Sequence, residues 1–434
     1  MPDFLLLSAT LLFAISVRLG AVSGVFALTG ALSLIGSVGL SKRAGQLQDP
    51  DPRAIDSRLL VGAGLFGLLG LIGWSPATIG PSSIFLDRLP GAIFIGIVVV
   101  AFALRRRSSQ ARFLPLVLGA LITVAGFGAA HIEATGDLGF DVYHLHVSAA
   151  EALGDGENPY TDVVTVPDGS PNAERGDVIS GYVYPPTTLV GYSLGHWLTP
   201  DARYTSLLSW LVVLGILGFA AVRNKSDREL NLMLLLASLP GLWLVLRAAW
   251  TEPLSIMFAA VATALWTHRA ASGLGLGAML SSKQYFLVTA PVFLLHRETG
   301  WMRRAAAALA VITLTLVPAM LWDFGAFWDS AVAFHTSTEP RPDGSNIVGL
   351  LAISGVDWTP PTLLPVVLGL AVAVWAAAGS TTRRSFMAAM ATSLSVSFLV
   401  TSQAFANYWF LVFGLCALAM YSGPEGSGSE LDPL

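Results

Sequence analysis

Apolar runs of roughly 17–25 residues recur from one end of this chain to the other, and short clusters of Lys and Arg punctuate them. A run of that length crosses the hydrocarbon core of a bilayer as a helix. Inside hydrocarbon every backbone polar group must find a partner in the protein, which leaves helices or a closed barrel. A barrel shows short alternating segments, whereas these runs are continuous. The sequence therefore predicts an all-α polytopic membrane protein. Composition agrees: of 434 residues, 54% are hydrophobic and 12% charged, against roughly 25% charged in soluble domains. The net charge of −4 identifies no partner, because orientation follows where Lys and Arg sit. No basic tract suits nucleic acid. Cys416 is the single cysteine and lies in an apolar segment, so its expected role is packing.

Cationic clusters assign the sides. The first twenty residues lack a basic leader and read as a retained membrane segment. Residues 4–40 are too long for one span and read as two helices turning near Gly20. Lys42, Arg43, Arg53 and Arg58 mark a cytoplasmic stretch, as do Arg105, Arg106, Arg107 and Arg112. The apolar run 113–132 then leads outward, so the polar interval 137–186 is extracytoplasmic. Only one crossing can separate it from the cations of 223–229. Residues 187–198 are thus expected to lie at the interface rather than span. Both ends of 272–296 are cytoplasmic by the same rule, which requires two short helices meeting near Ser282-Lys283-Gln284. Broken backbone at that depth is tolerated where it is buried or lines a wet cavity. Altogether about 13 transmembrane helices are expected, with no repeat of roughly 20–50 residues. Residues 1–112 form additional N-terminal helices. Residues 113–421 form the membrane core, with external loops at 133–204 and 322–362, and 422–434 a disordered cytoplasmic tail.

The unusual polar residues gather on one side. Asp137, Asp141, Tyr160, Tyr184, Arg247, Glu252, Lys283, His335, Arg341, Asn346 and Asn407 all fall on the outer face or near it. Ionisable groups in or beside a membrane are costly and default to functional hypotheses. Outer carboxylates facing outer cations suit transfer of a group from an anionic lipid: a carboxylate accepts the proton of an attacking hydroxyl, and Lys or Arg holds the departing phosphate. Asp141 heads the amphipathic stretch VYHLHVSAAEAL and is either the base or that helix's N-cap. Asp137 is a loop carboxylate with a secondary claim; the two acids leave a divalent cation open. His144 and His146 lack a third ligand for zinc and read as interfacial aromatics. The prolines of ENPY and YVYPP stiffen the loop. Lys283, beside Gln284 and Tyr285, reads as a phosphate contact. Arg247 and Glu252, flanking Trp250, either meet substrate or pair with each other.

These residues carry a resemblance. Asp141, Tyr143, Ala149, Leu153, Gly156 and Pro159-Tyr160, followed by Tyr184-Pro185-Pro186, form a pattern similar to the C-type glycosyltransferases, specifically the glycosyltransferase 87 family of polyprenyl-phosphate-dependent mannosyltransferases. Lys283 after a Gly-rich half-helix and Asn346 opening SNIVGLL are further echoes, and the similarity spans roughly 115–420. The chain departs from the family at Gln403, Asn407 and Tyr408, where many relatives carry a histidine, and at Trp250-Thr251-Glu252, where relatives show Gly-Gln.

The resemblance implies a catalytic acidic base in the first large external loop, at Asp141. It also implies a lipid-phosphate-sugar donor from the outer leaflet and inversion at the anomeric carbon. The expected partners are a polyprenyl-phosphate sugar, a glycolipid or glycan acceptor and membrane lipids, with no nucleic acid and no cofactor beyond the open cation. The expected location is the cell membrane, with the site facing outward. Asp137, Tyr143, Tyr160, Tyr184, Arg247, Glu252, Lys283, His335, Arg341, Asn346 and Asn407 are the expected substrate contacts. A transporter or flippase of a lipid-linked glycan is the rival reading, although transporters place charges at the midplane of repeat-related broken helices. A non-catalytic assembly subunit is the third.

Overall fold

The computed structural model of the protein describes residues 2–16, 23–43, 52–71, 81–105, 110–135, 141–161, 163–165, 178–337, 340–341 and 344–422. Helix dominates them. Their one strand pairing is a short antiparallel ribbon, β1 (Val163–Thr165) against β2 (Val178–Ser180), with Val164 opposite Ile179. Four helical stretches are long and apolar enough to cross a membrane: Arg88–Arg105, Phe113–Thr135, Tyr204–Asn224 and Trp301–Trp322. Shorter apolar helices lie at Gly24–Leu40, Glu252–Ala264, Gln284–Leu295, Leu364–Ala377 and Ala406–Met420.

Helices α1 (Pro2–Ser16) and α2 (Ser23–Arg43) are the two expected of residues 4–40. The expected turn near Gly20 lies outside the described residues, as do Asp137 and the tail from 423 onward. Next come α3 (Pro52–Leu71), α4 (Pro81–Arg105) and α5 (Phe113–Thr135). Asp141 opens α6 (Asp141–Gly154), and Pro186 in the first turn opens α7 (Pro186–Leu198). Proline suits that place because its missing N–H would have had no helical partner. Helix α7 leaves Val190, Leu194, Trp197 and Leu198 exposed along one side. It is too short to span, and that apolar stripe fits a helix lying at an interface.

Five helices follow: α8 (Tyr204–Asn224), α9 (Asp227–Ala237), α10 (Leu242–Arg247), α11 (Glu252–Ala264) and α12 (Arg269–Leu280). Helix α12 breaks at Ser281–Lys283, and the chain continues as a 3-10 turn (Gln284–Thr289) into α13 (Ala290–Leu295). The expected pair of short helices meeting near Lys283 is therefore present. Then come α14 (Trp301–Trp322) and the short α15 (Phe324–Trp328), capped by Asp323, whose side chain accepts from the Ala326 N–H. A π-turn (Asp329–Ala333) leads to α16 (Phe334–Ser337). The chain ends with α17 (Ile347–Ile353), α18 (Leu364–Ala377), α19 (Arg383–Leu399) and α20 (Ala406–Met420). Thr382 and Ser385 close a reciprocal capping box at the start of α19.

The N-terminal helices share the core of the rest. Helix α1 packs on α20, α2 on α19 and α3 on α9, and buried residues from Leu6 to Tyr421 make one continuous cluster. Between apolar helices in lipid, close backbone approach and dispersion contacts supply the attraction. Gly273 and Gly277, one turn apart on α12, allow that approach to α14. A Cβ on either would press against the backbone carbonyl of Arg304 or Ala308.

A second, smaller cluster of buried hydrophobic residues forms a lobe built largely from the polar interval of the sequence, here the polar lobe. Val142, Leu145 and Ala149 of α6 pack there with Tyr160, Tyr182, Val183 and Tyr184, with Leu189 of α7, and with Ala319, Phe327 and Ala331. Gly181 permits the chain to turn inside this cluster. Its φ is +78°, and a Cβ would meet both the Ser330 hydroxyl and the Tyr160 carbonyl. Only glycine adopts that backbone without cost. Elsewhere, ion pairs Arg112–Asp227 at 2.7 Å and Arg304–Glu298 at 2.8 Å join elements that carry the cationic clusters.

Candidate functional site

The site is assembled where the helix break meets the polar lobe. Hydroxyls stitch the broken backbone. Thr187 Oγ1 lies 2.7 Å from Ser281 Oγ, and Thr188 Oγ1 donates to the Ser282 carbonyl at 2.5 Å. Ser255 of α11 meets Ser282 Oγ at 2.7 Å. Serines and threonines near a chain break satisfy the backbone groups that the missing helical turn leaves free. The result fixes Lys283 in extended conformation, with φ −147°, pointing out of the break.

Lys283 is 4% exposed and Glu252 is 0% exposed. Their Nζ and Oε1 atoms stand 3.3 Å apart. The same Oε1 accepts from Asn407 Nδ2 at 3.0 Å and from the Tyr285 hydroxyl at 3.2 Å. Lys283 Nζ also lies 4.1 Å from the centroid of the Tyr184 ring and 5.7 Å from that of Tyr285. A desolvated ammonium over an aromatic face gains electrostatic attraction beyond its ion pair. Among the described residues, Glu252 Oε2 and Asn407 Oδ1 are buried without a hydrogen-bond partner.

Glu252 owes its position to the turn before it. Ala249 adopts φ +53°, a left-handed conformation uncommon for a residue with a Cβ. The Ala249 carbonyl lies 3.2 Å from His146 Nε2, and the Trp250 carbonyl accepts from Tyr192 at 3.1 Å and from Ser206 at 3.2 Å. A carbonyl can only accept, so His146 carries its proton on Nε2. Its Nδ1 then accepts from the Tyr182 hydroxyl at 2.9 Å. The imidazole stacks on Tyr192 at 3.7 Å, and burial, followed by the Lys283 charge, lowers its pKa to about 3. His146 is therefore a neutral tie between α6, α7 and the 249 turn. The sequence expectation of an interfacial aromatic missed this.

Asp141 is half-buried and its Oδ1 accepts from the Val142 N–H at 2.8 Å. Burial pushes its carboxyl up from the ordinary value, while that N–H and the Arg341 charge pull it back. Arg341 belongs to the second polar stretch. The Arg341 N–H donates to the Ser402 carbonyl at 3.2 Å, and its guanidinium lies 4.8 Å from the Phe405 ring. The turn before α20 thus holds Arg341, whose charge is felt at Asp141. Tyr184 connects the two halves of the site. Burial raises its phenol, and the charges of Asp141 and Glu252 add to the rise.

Other expected contacts brace this arrangement. The Tyr160 hydroxyl donates to the Tyr184 carbonyl at 3.1 Å, and Ser330 donates to the Tyr160 carbonyl at 3.0 Å. His335 Nε2 donates to the Val183 carbonyl at 2.8 Å, and burial lowers its pKa to about 4. Arg203, itself paired with Asp201 at 2.6 Å, lies 5.1 Å from the Tyr143 ring.

Arg247 and Asn346 are engaged within the fold. Arg247 is paired with His131, Nη2 to Nδ1 at 2.9 Å, while Glu252 is paired with Lys283, so the alternative of an Arg247–Glu252 pair is corrected. Asn346 spends its amide on the fold. Its Oδ1 caps α17 by accepting from the Gly349 N–H at 3.0 Å, and Nδ2 donates to Thr401 at 2.6 Å and Phe398 at 3.2 Å. Asp137 lies outside the described residues. Residues not singled out as contacts also belong here: Tyr182, Tyr192, Tyr285 and His146. Among the described residues no three His, Cys, Asp or Glu side chains gather as a metal set. Compared with known proteins, the chain matches no family model, no curated protein and no solved structure.

Proposed function

We propose that this chain is an inverting, integral-membrane glycosyltransferase that crosses the bilayer about 13 times. It moves a sugar, mannose by the family resemblance, from a polyprenyl-phosphate donor to a lipid-linked or envelope-glycan acceptor. The polar lobe faces the extracytoplasmic side, and the helical arrangement is of the C-type glycosyltransferase kind.

One observation supports this reading above others. Tyr184 stands within electrostatic reach of the Asp141 carboxylate and has its ring over Lys283 Nζ at 4.1 Å. A carboxylate and a cation thus both act on Tyr184. In the proposed reaction, Asp141 takes the proton of an acceptor hydroxyl as that oxygen attacks the anomeric carbon. The bond from that carbon to the phosphate oxygen breaks on the opposite face, which inverts the centre. Negative charge develops on the leaving polyprenyl phosphate, where Lys283 receives it, with Arg341 near the base. Cations already in place favour the transition state over the ground state, because they need no reorganisation as charge appears. A carboxyl whose proton affinity is raised by burial is the better base.

The test is incubation of the purified protein in nanodiscs with a panel of polyprenyl-phosphate sugars and candidate acceptors. The product mass and the anomeric configuration are then read. A new glycosidic bond of inverted configuration is expected. Movement of labelled lipid between leaflets without bond formation would instead make the protein a flippase.

A further inference from the structure

The two orphaned acceptors beside Lys283 need explanation. Glu252 uses one carboxylate oxygen for three donors and leaves the other buried and bare, and Asn407 leaves its amide oxygen in the same condition. Buried polar atoms are nearly always hydrogen-bonded. A single proton on Glu252 Oε2 turns that bare acceptor into a donor, on a carboxyl whose other oxygen already accepts from the Asn407 side chain.

Charge points the same way. Without ligand, the buried Lys283 and Glu252 neutralise each other. A phosphate diester seated on Lys283 adds a negative charge beside a buried carboxylate. In a low-dielectric site such repulsion is strong, and neutralising one acid removes it. Among the described residues, five titratable groups are seen to interact with Glu252 through charge, and Lys283 is the cation of the five. They are Lys283 and Tyr285 from the helix break, Tyr184 and Tyr192 from the chain entering α7 and from α7 itself, and Tyr408 from α20. Arg247, on α10, is turned to His131.

We propose that Glu252 is the resident counter-ion of Lys283, and that an anionic phosphate diester displaces it with uptake of a proton from solvent onto Glu252 Oε2. The site then binds phosphate and proton together and stays neutral in both states. The inference rests on the reading of Lys283 as the phosphate contact. It goes beyond that reading by assigning Glu252 as a positioning residue whose protonation accompanies donor entry.

Infrared difference spectroscopy on the protein in nanodiscs tests it, with dihexyl phosphate as the anionic probe and uncharged trihexyl phosphate as the control. The diester is expected to raise a protonated-carboxyl C=O band that persists in Asp141→Asn and vanishes in Glu252→Gln; the triester raises none. Calorimetric titration of the unaltered protein in two buffers of different ionisation heat gives a second measure, free of any folding defect in Glu252→Gln. The binding heat should differ between the buffers, and affinity should fall by up to about tenfold per pH unit where uptake is complete. Diester binding that depends on Lys283 but raises no such band, or shows no buffer dependence, overturns the inference and leaves the transferase reading standing. Binding unaffected by Lys283→Ala overturns the inference and also removes Lys283 as the phosphate contact.

Discussion

Lys283 and Glu252 meet at 3.3 Å across a helix break, both closed off from solvent. Breaking a buried ion pair from one side leaves an uncompensated charge, which costs roughly 3–5 kcal/mol. Lys283→Met alone should therefore lower the unfolding temperature in detergent clearly. Lys283→Met combined with Glu252→Gln should recover much of that loss. Equal losses that simply add would mean that the two side chains do not depend on each other.

Acid should destabilise the fold through two buried histidines of the polar lobe. His146 and His335 are held near 3 and 4 in the folded protein, against about 6.5 unfolded. The unfolded chain therefore binds more protons in that window. Stability is full above about pH 6.5 and falls as the pH drops toward those folded values, by up to about 1.4 kcal/mol per pH unit for each histidine. Denaturant midpoints between pH 7 and 5 should show this slope, and His146→Gln should flatten it. A slope unchanged in that variant would contradict the neutral, buried imidazole.

Gly277→Val should separate α12 from α14, since the new side chain meets the Ala308 backbone carbonyl. Overpacking of this kind costs about 1–3 kcal/mol. Because α12 carries the break that presents Lys283, phosphate binding should weaken together with thermal stability. Stability falling with binding intact would show that the break is held by Thr187, Thr188 and Ser255 alone.

Asn346→Ala should behave as loss of a helix cap, with a stability cost of about 0.5–2 kcal/mol and no change in the sugar selected. A change in donor preference at unaltered stability would return Asn346 to the site.

Periodicity and charge made much of this architecture legible. Parity between cationic clusters required two short helices around Lys283, and the chain breaks at Ser281–Lys283. An apolar helix was expected over 187–198, and α7 covers Pro186–Leu198. Side-chain partners were harder to read. Arg247 and Glu252 lie close in sequence, but the left-handed turn at Ala249 lies between them, and each finds a partner more than thirty residues away. Asn346 looked like a ligand-binding amide because caps and sites use the same residue type. Nothing in the sequence singles out Tyr192 or the partner of Tyr285, and only the folded chain brings their hydroxyls to Trp250 and Glu252. His146 was invisible as a tie because its three partners come from three separate segments.

The measurement that bears most directly on the proposed chemistry is the rate of sugar transfer from polyprenyl-phosphate mannose by Asp141→Asn, beside the unaltered protein and Asp141→Glu. Asparagine keeps the shape and the hydrogen bond to Val142 but cannot take a proton. Transfer should fall by about 10²–10⁴-fold in protein that remains monodisperse and unfolds at a similar temperature, with partial activity in the Glu variant. Transfer by Asp141→Asn at close to the unaltered rate would remove Asp141 from the chemistry.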